Sequence, residues 1–167
     1  MNGATRPARR RLIRVYFLTL AGTLVWLGAV ILAPVLRESS LRVSSVLYAC
    51  FAPVCHQVPE RSFALLGRPL AVCARCFGIY AGFLGGMILY AFRRGFETVR
   101  LPRLMDFLLL SLSIGIDAAA NVLGIWNTPN LPRFLLGFAW GTILPFYFLT
   151  ALGELSLRGL AIPAAKK

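Results

Sequence analysis

Val15 to Leu36 is a run of 22 residues without a charged side chain, and three more long apolar runs follow it. A helix of about 20 apolar residues spans the ~30 Å of bilayer hydrocarbon. A chain in that environment must satisfy its backbone polar groups within itself, which leaves helices or a closed barrel. Runs of this length make the fold class an all-α membrane protein. The second run covers about residues 76–92 and stops at Arg93-Arg94; the third covers about 104–126 and the fourth about 134–155, where Pro145 is expected to introduce a kink. A four-transmembrane-helix bundle is therefore expected, as a single helical membrane domain over residues 15–160. A basic arm at 1–14 precedes it and a tail at 161–167 follows. Met1–Arg11 and Ala161–Lys167 read as disordered ends.

The first run is too long for the apolar core of a signal peptide and lacks a small-x-small cleavage site, so it reads as an uncleaved span. Val43 to Val54 is apolar but only twelve residues long. It is too short to cross and suits a short interfacial or re-entrant helix.

The formal charge of +12 could indicate nucleic acid, but the arginines sit at the ends of the apolar runs and form no aromatic-studded basic stretch. The partner that this placement implies is the lipid bilayer, with no nucleic acid. With four spans and both termini cytoplasmic, twelve Arg and Lys fall on the cytoplasmic side and six on the other, five of the six in the long loop Arg37–Arg75. Positive residues favour the cytoplasmic side of short loops, so this orientation is the expected one. It turns the loop that holds the cysteines outward. Gly78, Gly82 and Gly86 recur every four residues on the second span, as Gly137 and Gly141 do on the fourth. Small residues at that spacing let helix backbones approach closely in lipid, within one tight bundle.

All four cysteines and the single histidine lie within 27 consecutive residues, as Cys50-x4-Cys55-His56-x16-Cys73-x2-Cys76. Paired sulfur and nitrogen donors two to four residues apart resemble the knuckles of a tetrahedral zinc site. Cys73 and Cys76 are one helical turn apart at the start of the second span, where the helix dipole and Arg75 favour thiolate. The same conditions suit a redox thiol, and an outward loop suits structural disulfides. The residue types thus leave a metal site, a thiol–disulfide pair and a purely structural role all open. Gln57, Glu60 and Arg61 add a polar run that could orient ligands or a bound anion.

Ser113, Asp117 and Asn121 share one face of the third span, and Asp106 lies three turns before Asp117 on the same side. A carboxylate inside the membrane needs a partner. Arg133, at the start of the fourth span, is the cation that a helical hairpin would bring to Asp117. The stripe is expected to face the bundle interior, beneath the cysteine loop.

The stretch Cys55-His56-Gln57-Val58-Pro59-Glu60-Arg61-Ser62-Phe63, with Pro69, Val72-Cys73-Ala74-Arg75-Cys76 and Gly78-Ile79-Tyr80-Ala81-Gly82, resembles the signature of a known family. That family is the small prokaryotic integral membrane proteins called domain of unknown function 2085. The likeness is close over Cys55–Gly82 and looser to Gly141, where Asp117, Asn130, Arg133, Gly137 and Gly141 resemble a second cluster. It departs from the pattern after Asp117, where Ala118-Ala119-Ala120 replaces more polar residues. The resemblance implies an integral protein of the prokaryotic cell (inner) membrane and supplies no activity or substrate. It has no counterpart of Cys50, which implies Cys55, His56, Cys73 and Cys76 as the ligand set.

Three functional expectations follow. The first is a membrane protein with zinc held by Cys55, His56, Cys73 and Cys76, with Cys50 a further candidate. Around it Gln57, Glu60, Arg61, Arg75, Asp117, Asn121, Asn130 and Arg133 would support the ligands or line a cavity. The second is a thiol–disulfide oxidoreductase in which Cys73/Cys76 act with Cys50/Cys55 and a quinone accepts the electrons. The third is an assembly factor, or a transporter that must oligomerise because four spans are few.

Overall fold

Five helices carry the chain in the computed structural model, which describes residues 6–94 and 103–158: α1 Arg6–Val35, α2 Leu41–Phe51, α3 Ala74–Arg94, α4 Leu104–Val122 and α5 Asn130–Arg158. Four of them, α1, α3, α4 and α5, are long and apolar enough to cross a membrane. The expected four-span bundle is thus present. The tail at 161–167, the start of the basic arm and most of the loop after Arg94 lie outside the described residues. From Arg6 onward the arm is helical and continuous with α1, where the sequence suggested a disordered end as far as Arg11.

α2 has 11 residues and is about 16 Å long, half of what a span needs. It folds back on the end of α1, where the Ser44 hydroxyl donates to the Ala33 carbonyl at 2.7 Å. Leu41, Val43 and Val46 stay exposed on its outer face. That is the short interfacial or re-entrant helix expected over Val43–Val54, here set at Leu41–Phe51.

Two boundaries differ from the sequence reading. α4 ends at Val122, before the expected Trp126, because Gly124 adopts φ +71°. The Ile125 N–H then reaches back to the Ala120 carbonyl at 2.9 Å, a glycine-terminated C-cap. α5 runs unbroken through Pro145, starting at Asn130.

The contact that sets the bundle is between α3 and α5. A Cβ added at Gly78 would collide with the Phe134 carbonyl, at Gly82 with that of Phe138, and at Gly86 with that of Thr142. In return, Gly137 and Gly141 leave no room against the Arg75 and Ile79 carbonyls. All five glycines therefore face each other inside one chain, as close backbone packing in lipid requires. The paired numbers rise together, so α3 and α5 run parallel. α1 is antiparallel to α3, with the Tyr16 hydroxyl donating to the Met87 carbonyl at 3.1 Å and Trp26 edge-on to Tyr80. α4 is antiparallel to α5, with Phe107 tilted against Tyr147 and the Trp140 indole donating to Ser111 at 2.8 Å. The four long helices alternate in direction, so the start of α1 and the end of α5 lie at one end of the bundle. The cysteine loop lies at the other.

A Cβ at Gly82 or Gly141 meets backbone, whereas one at Gly115 of α4 meets nothing within 4 Å. Gly82→Ala and Gly141→Ala are each expected to lose about 1–3 kcal/mol in thermal unfolding in detergent. Gly115→Ala should be neutral or gain up to ~1 kcal/mol from helix propensity. Equal losses at all three positions would contradict this packing.

Candidate metal centre

Three cysteines converge at the end of the bundle where α3 begins. The Sγ atoms of Cys55, Cys73 and Cys76 lie within 4.8 Å of one another, with Cys55 buried and the other two half-buried. The intervening chain is held for this purpose at several points. After α2 the Cys55 N–H bonds to the Phe51 carbonyl at 3.0 Å, and Gln57 then turns with φ +52°. A left-handed conformation costs a non-glycine residue about 1 kcal/mol or more. It is held by the Gln57 side-chain amide, which donates to the Tyr48 carbonyl at 2.7 Å, and it directs the Gln57 N–H toward Cys55 Sγ.

Beyond a 3-10 turn at Pro59–Arg61, a short antiparallel hairpin pairs β1 (Ala64–Leu65) with β2 (Arg68–Pro69). Leu66 and Gly67 both take positive φ, the geometry of a tight two-residue hairpin turn. The Tyr48 hydroxyl donates to the Pro69 carbonyl at 2.5 Å and fixes this hairpin to α2. The buried run Leu70-Ala71-Val72 then delivers Cys73, whose carbonyl accepts the Phe77 N–H at 2.9 Å and starts α3.

Cys55 Sγ also accepts the Cys73 backbone N–H at 3.1 Å. Hydrogen bonds from the Cys73 and Cys76 thiols hold the Cys55 thiol well below the usual thiol range; burial opposes them, and the Cys73 and Gln57 N–H groups add to them. These hydrogen bonds favour the thiolate form at Cys55, the form of cysteine that ligates metal.

A cavity of about 390 Å³ opens beside the sulfurs, with Gln57, Arg61, Arg75, Asn121 and Arg133 among the groups on its wall. His56 also lines it, but is exposed and is not part of the three-sulfur group. Cys50 is exposed on α2 and lies outside the group as well. Glu60 is exposed and faces a neighbouring shallow depression. Asn130 serves the loop, its amide donating to the Ser62 carbonyl at 3.2 Å.

The buried carboxylate has a different partner from the one expected. Asp117 forms its ion pair with Arg75, and not with Arg133. Arg75 stands in the first turn of α3, and its side chain reaches Asp117, five residues before the end of α4. The other Asp117 oxygen accepts the Thr128 hydroxyl, the Asn121 amide at 3.1 Å and the Trp126 indole N–H at 3.4 Å. Arg133 reaches the same network one residue further on, donating to Asn121 Oδ1 at 2.6 Å and Asn127 Oδ1 at 3.0 Å. The expected polar stripe is shorter than four residues. Asp117 and Asn121 are buried, whereas Asp106 and Ser113 are exposed, since α4 turns Phe107 and Ser111 toward α5. Trp126, Asn127 and Thr128 were absent from the sequence-based site. Their signal was three polar-tipped residues in the short turn that Gly124 begins.

The profile of the family described as "Predicted membrane protein (DUF2085)" matches residues 55–147. The chain belongs to the DUF2085 family. The matched stretch contains the three-sulfur group and the Asp117 network, and leaves out Cys50 and α1. An uncharacterized protein of Methanocaldococcus jannaschii is 34% identical over 148 residues, covering 85% of this chain and 95% of that one. One of Methanothermobacter thermautotrophicus is 35% identical over 91 residues, covering 54% of this chain and 80% of the relative. No solved structure matches.

Breaking a buried ion pair from one side strands the remaining charge, at about 3–5 kcal/mol. Asp117→Ala and Arg75→Ala are expected to be strongly non-additive in a thermal-unfolding cycle, with coupling above ~1 kcal/mol. Asp117→Ala with Arg133→Ala should couple more weakly, through Asn121 alone. The reverse order of couplings would show that Asp117 answers to Arg133.

Proposed function

We propose that this DUF2085 protein is a metal-binding membrane protein whose Cys55, Cys73 and Cys76 hold one zinc ion at the outer surface of the cell membrane. The observation that carries this reading is the convergence of three thiols, from two segments far apart in sequence, within 4.8 Å. Zinc bound to thiolates at about 2.3 Å in a tetrahedron sets its sulfurs about 3.8 Å apart, a spacing this group can reach with small side-chain movements. Backbone N–H groups directed at Cys55 Sγ support a thiolate there, as metal-bound sulfurs require. Zinc so held would tie the loop to the bundle and present a Lewis-acidic fourth position toward the cavity. His56, on the cavity wall, is the donor this chain can offer at that position.

The thiol–disulfide reading needs Cys50 as the partner of Cys55. Cys50 is exposed and outside the sulfur group, which favours the metal reading. The outward orientation rests on the sequence count of twelve Arg and Lys before the first apolar run, between the second and third and after the fourth, against six between the first and second and between the third and fourth.

Elemental analysis of the detergent-purified protein should give about one zinc per chain. Cys55→Ser, Cys73→Ser and Cys76→Ser should each lose it, while Cys50→Ser should keep most of it. Metal-free protein with oxidised Cys73 and Cys76 would instead establish the redox reading. Orientation is checked in a Cys50→Ser background with a membrane-impermeant maleimide on whole cells. Ser39→Cys should label from outside and Arg103→Cys should stay protected; the opposite result would invert the protein.

A further inference from the structure

Three guanidinium groups, those of Arg61, Arg75 and Arg133, border the cavity beside the thiols. Two ion pairs occur among the described residues, Arg68 with Glu38 and Arg75 with Asp117. Arg61 and Arg133 therefore have no carboxylate partner there. Arg133 is only 3% exposed, and its hydrogen bonds go to the neutral amide oxygens of Asn121 and Asn127. The Arg75 Nε is buried and makes no hydrogen bond. A buried cation without a counter-charge costs several kcal/mol, and an anion placed among these groups would offset that cost.

The thiols do not remove the need. Three thiolates on a zinc ion carry one net negative charge, against two unpaired guanidiniums. The backbone adds to the same field. α3 has 21 residues and α5 has 29, and both begin at this end, with Arg75 and Arg133 in their first turns. Parallel helix N-termini present partial positive charge to the same space.

We infer that the cavity is a binding site for a phosphoryl oxyanion, gripped by Arg61, Arg133 and the free edge of Arg75. Arginine's planar fork suits the oxygens of such a group. The cavity, at about 390 Å³, is of the size that takes a small organic ligand and not just a bare ion. Val54 and Val122 on its rim are 51% and 79% exposed, so an apolar moiety attached to the phosphate would meet apolar side chains at the mouth. Free phosphate and a phospholipid headgroup share this chemistry. The inference rests on the arginines and holds whether or not the thiols carry zinc.

The test uses the full chain in dodecylmaltoside, which contributes no phosphate of its own. Inorganic phosphate and a short-chain phosphatidic acid are titrated separately by calorimetry at constant ionic strength, with chloride as the control. Saturable binding of one or both is expected, weaker by about ten-fold or more in Arg61→Gln, at a half-buried loop position outside the helix packing. Arg61→Lys should restore part of the affinity. Saturation by phosphate identifies a free oxyanion, and saturation by phosphatidic acid alone identifies a lipid headgroup. No saturable binding of either probe to the wild type would overturn the inference, as would unchanged affinity in Arg61→Gln. Zinc is measured in the same samples. Zinc-loaded protein that binds neither probe defeats this inference alone, and metal-free protein that binds phosphate defeats the metal reading alone.

Discussion

The parallel contact between α3 and α5 is the constraint from which the rest of the structure follows. Lipid gives two helices little hydrophobic reason to pair, so the attraction must come from close contact between backbones. Gly78, Gly82 and Gly86 on one side, with Gly137 and Gly141 on the other, remove the side chains that would hold the axes apart. Carbonyls then lie against glycine Cα atoms along the whole interface, a geometry that also admits weak Cα–H···O bonds. Because the two helices run parallel, their N-termini emerge together. That single consequence brings Cys73, Arg75 and Cys76 of one chain segment to Asn130 and Arg133 of another, across 57 positions between Cys76 and Arg133.

On this frame the loop from α2 to α3 needs only to bring one more sulfur. It does so by short-range devices: the left-handed turn at Gln57, the Tyr48 hydroxyl on the hairpin, and the buried Leu70-Ala71-Val72 run. The last turn of α4 closes the other side. Asp117 neutralises Arg75, and the polar turn after Gly124 fills the remaining acceptor positions of Asp117 and Asn121. A charged group at this depth is tolerated because each of its oxygens is bonded. The excess of positive charge that remains lies on the cavity wall, beside the thiols, where a ligand can meet it.

Much of this was legible in the sequence for identifiable reasons. Charge-free runs such as Val15–Leu36 admit one structure in lipid, and glycines four residues apart can only mark a helix face. The gathering of Cys55, Cys73 and Cys76 was visible because no other segment offers soft ligands. What stayed hidden depends on where helices end and which way they lean. The choice of Arg75 over Arg133 for Asp117 follows from the position of α3 relative to α4, which no local pattern encodes. The early stop of α4 hung on the conformation of Gly124, and the hairpin at Ala64–Pro69 on a Leu-Gly turn with strands of only two residues. His56, next to Cys55 in the sequence, lies on the wall of the same cavity outside the three-sulfur group, a relation that depends on the path of the irregular turn after α2 and that no local pattern encodes.

The central claim, a zinc ion on three cysteines with a non-sulfur group in the fourth position, is tested most directly by X-ray absorption at the zinc edge. The spectrum of the purified protein should fit three sulfur neighbours at about 2.3 Å and one nitrogen or oxygen at about 2.0–2.1 Å. A shell of nitrogen and oxygen alone, or of four sulfurs that includes Cys50, would contradict the site described here.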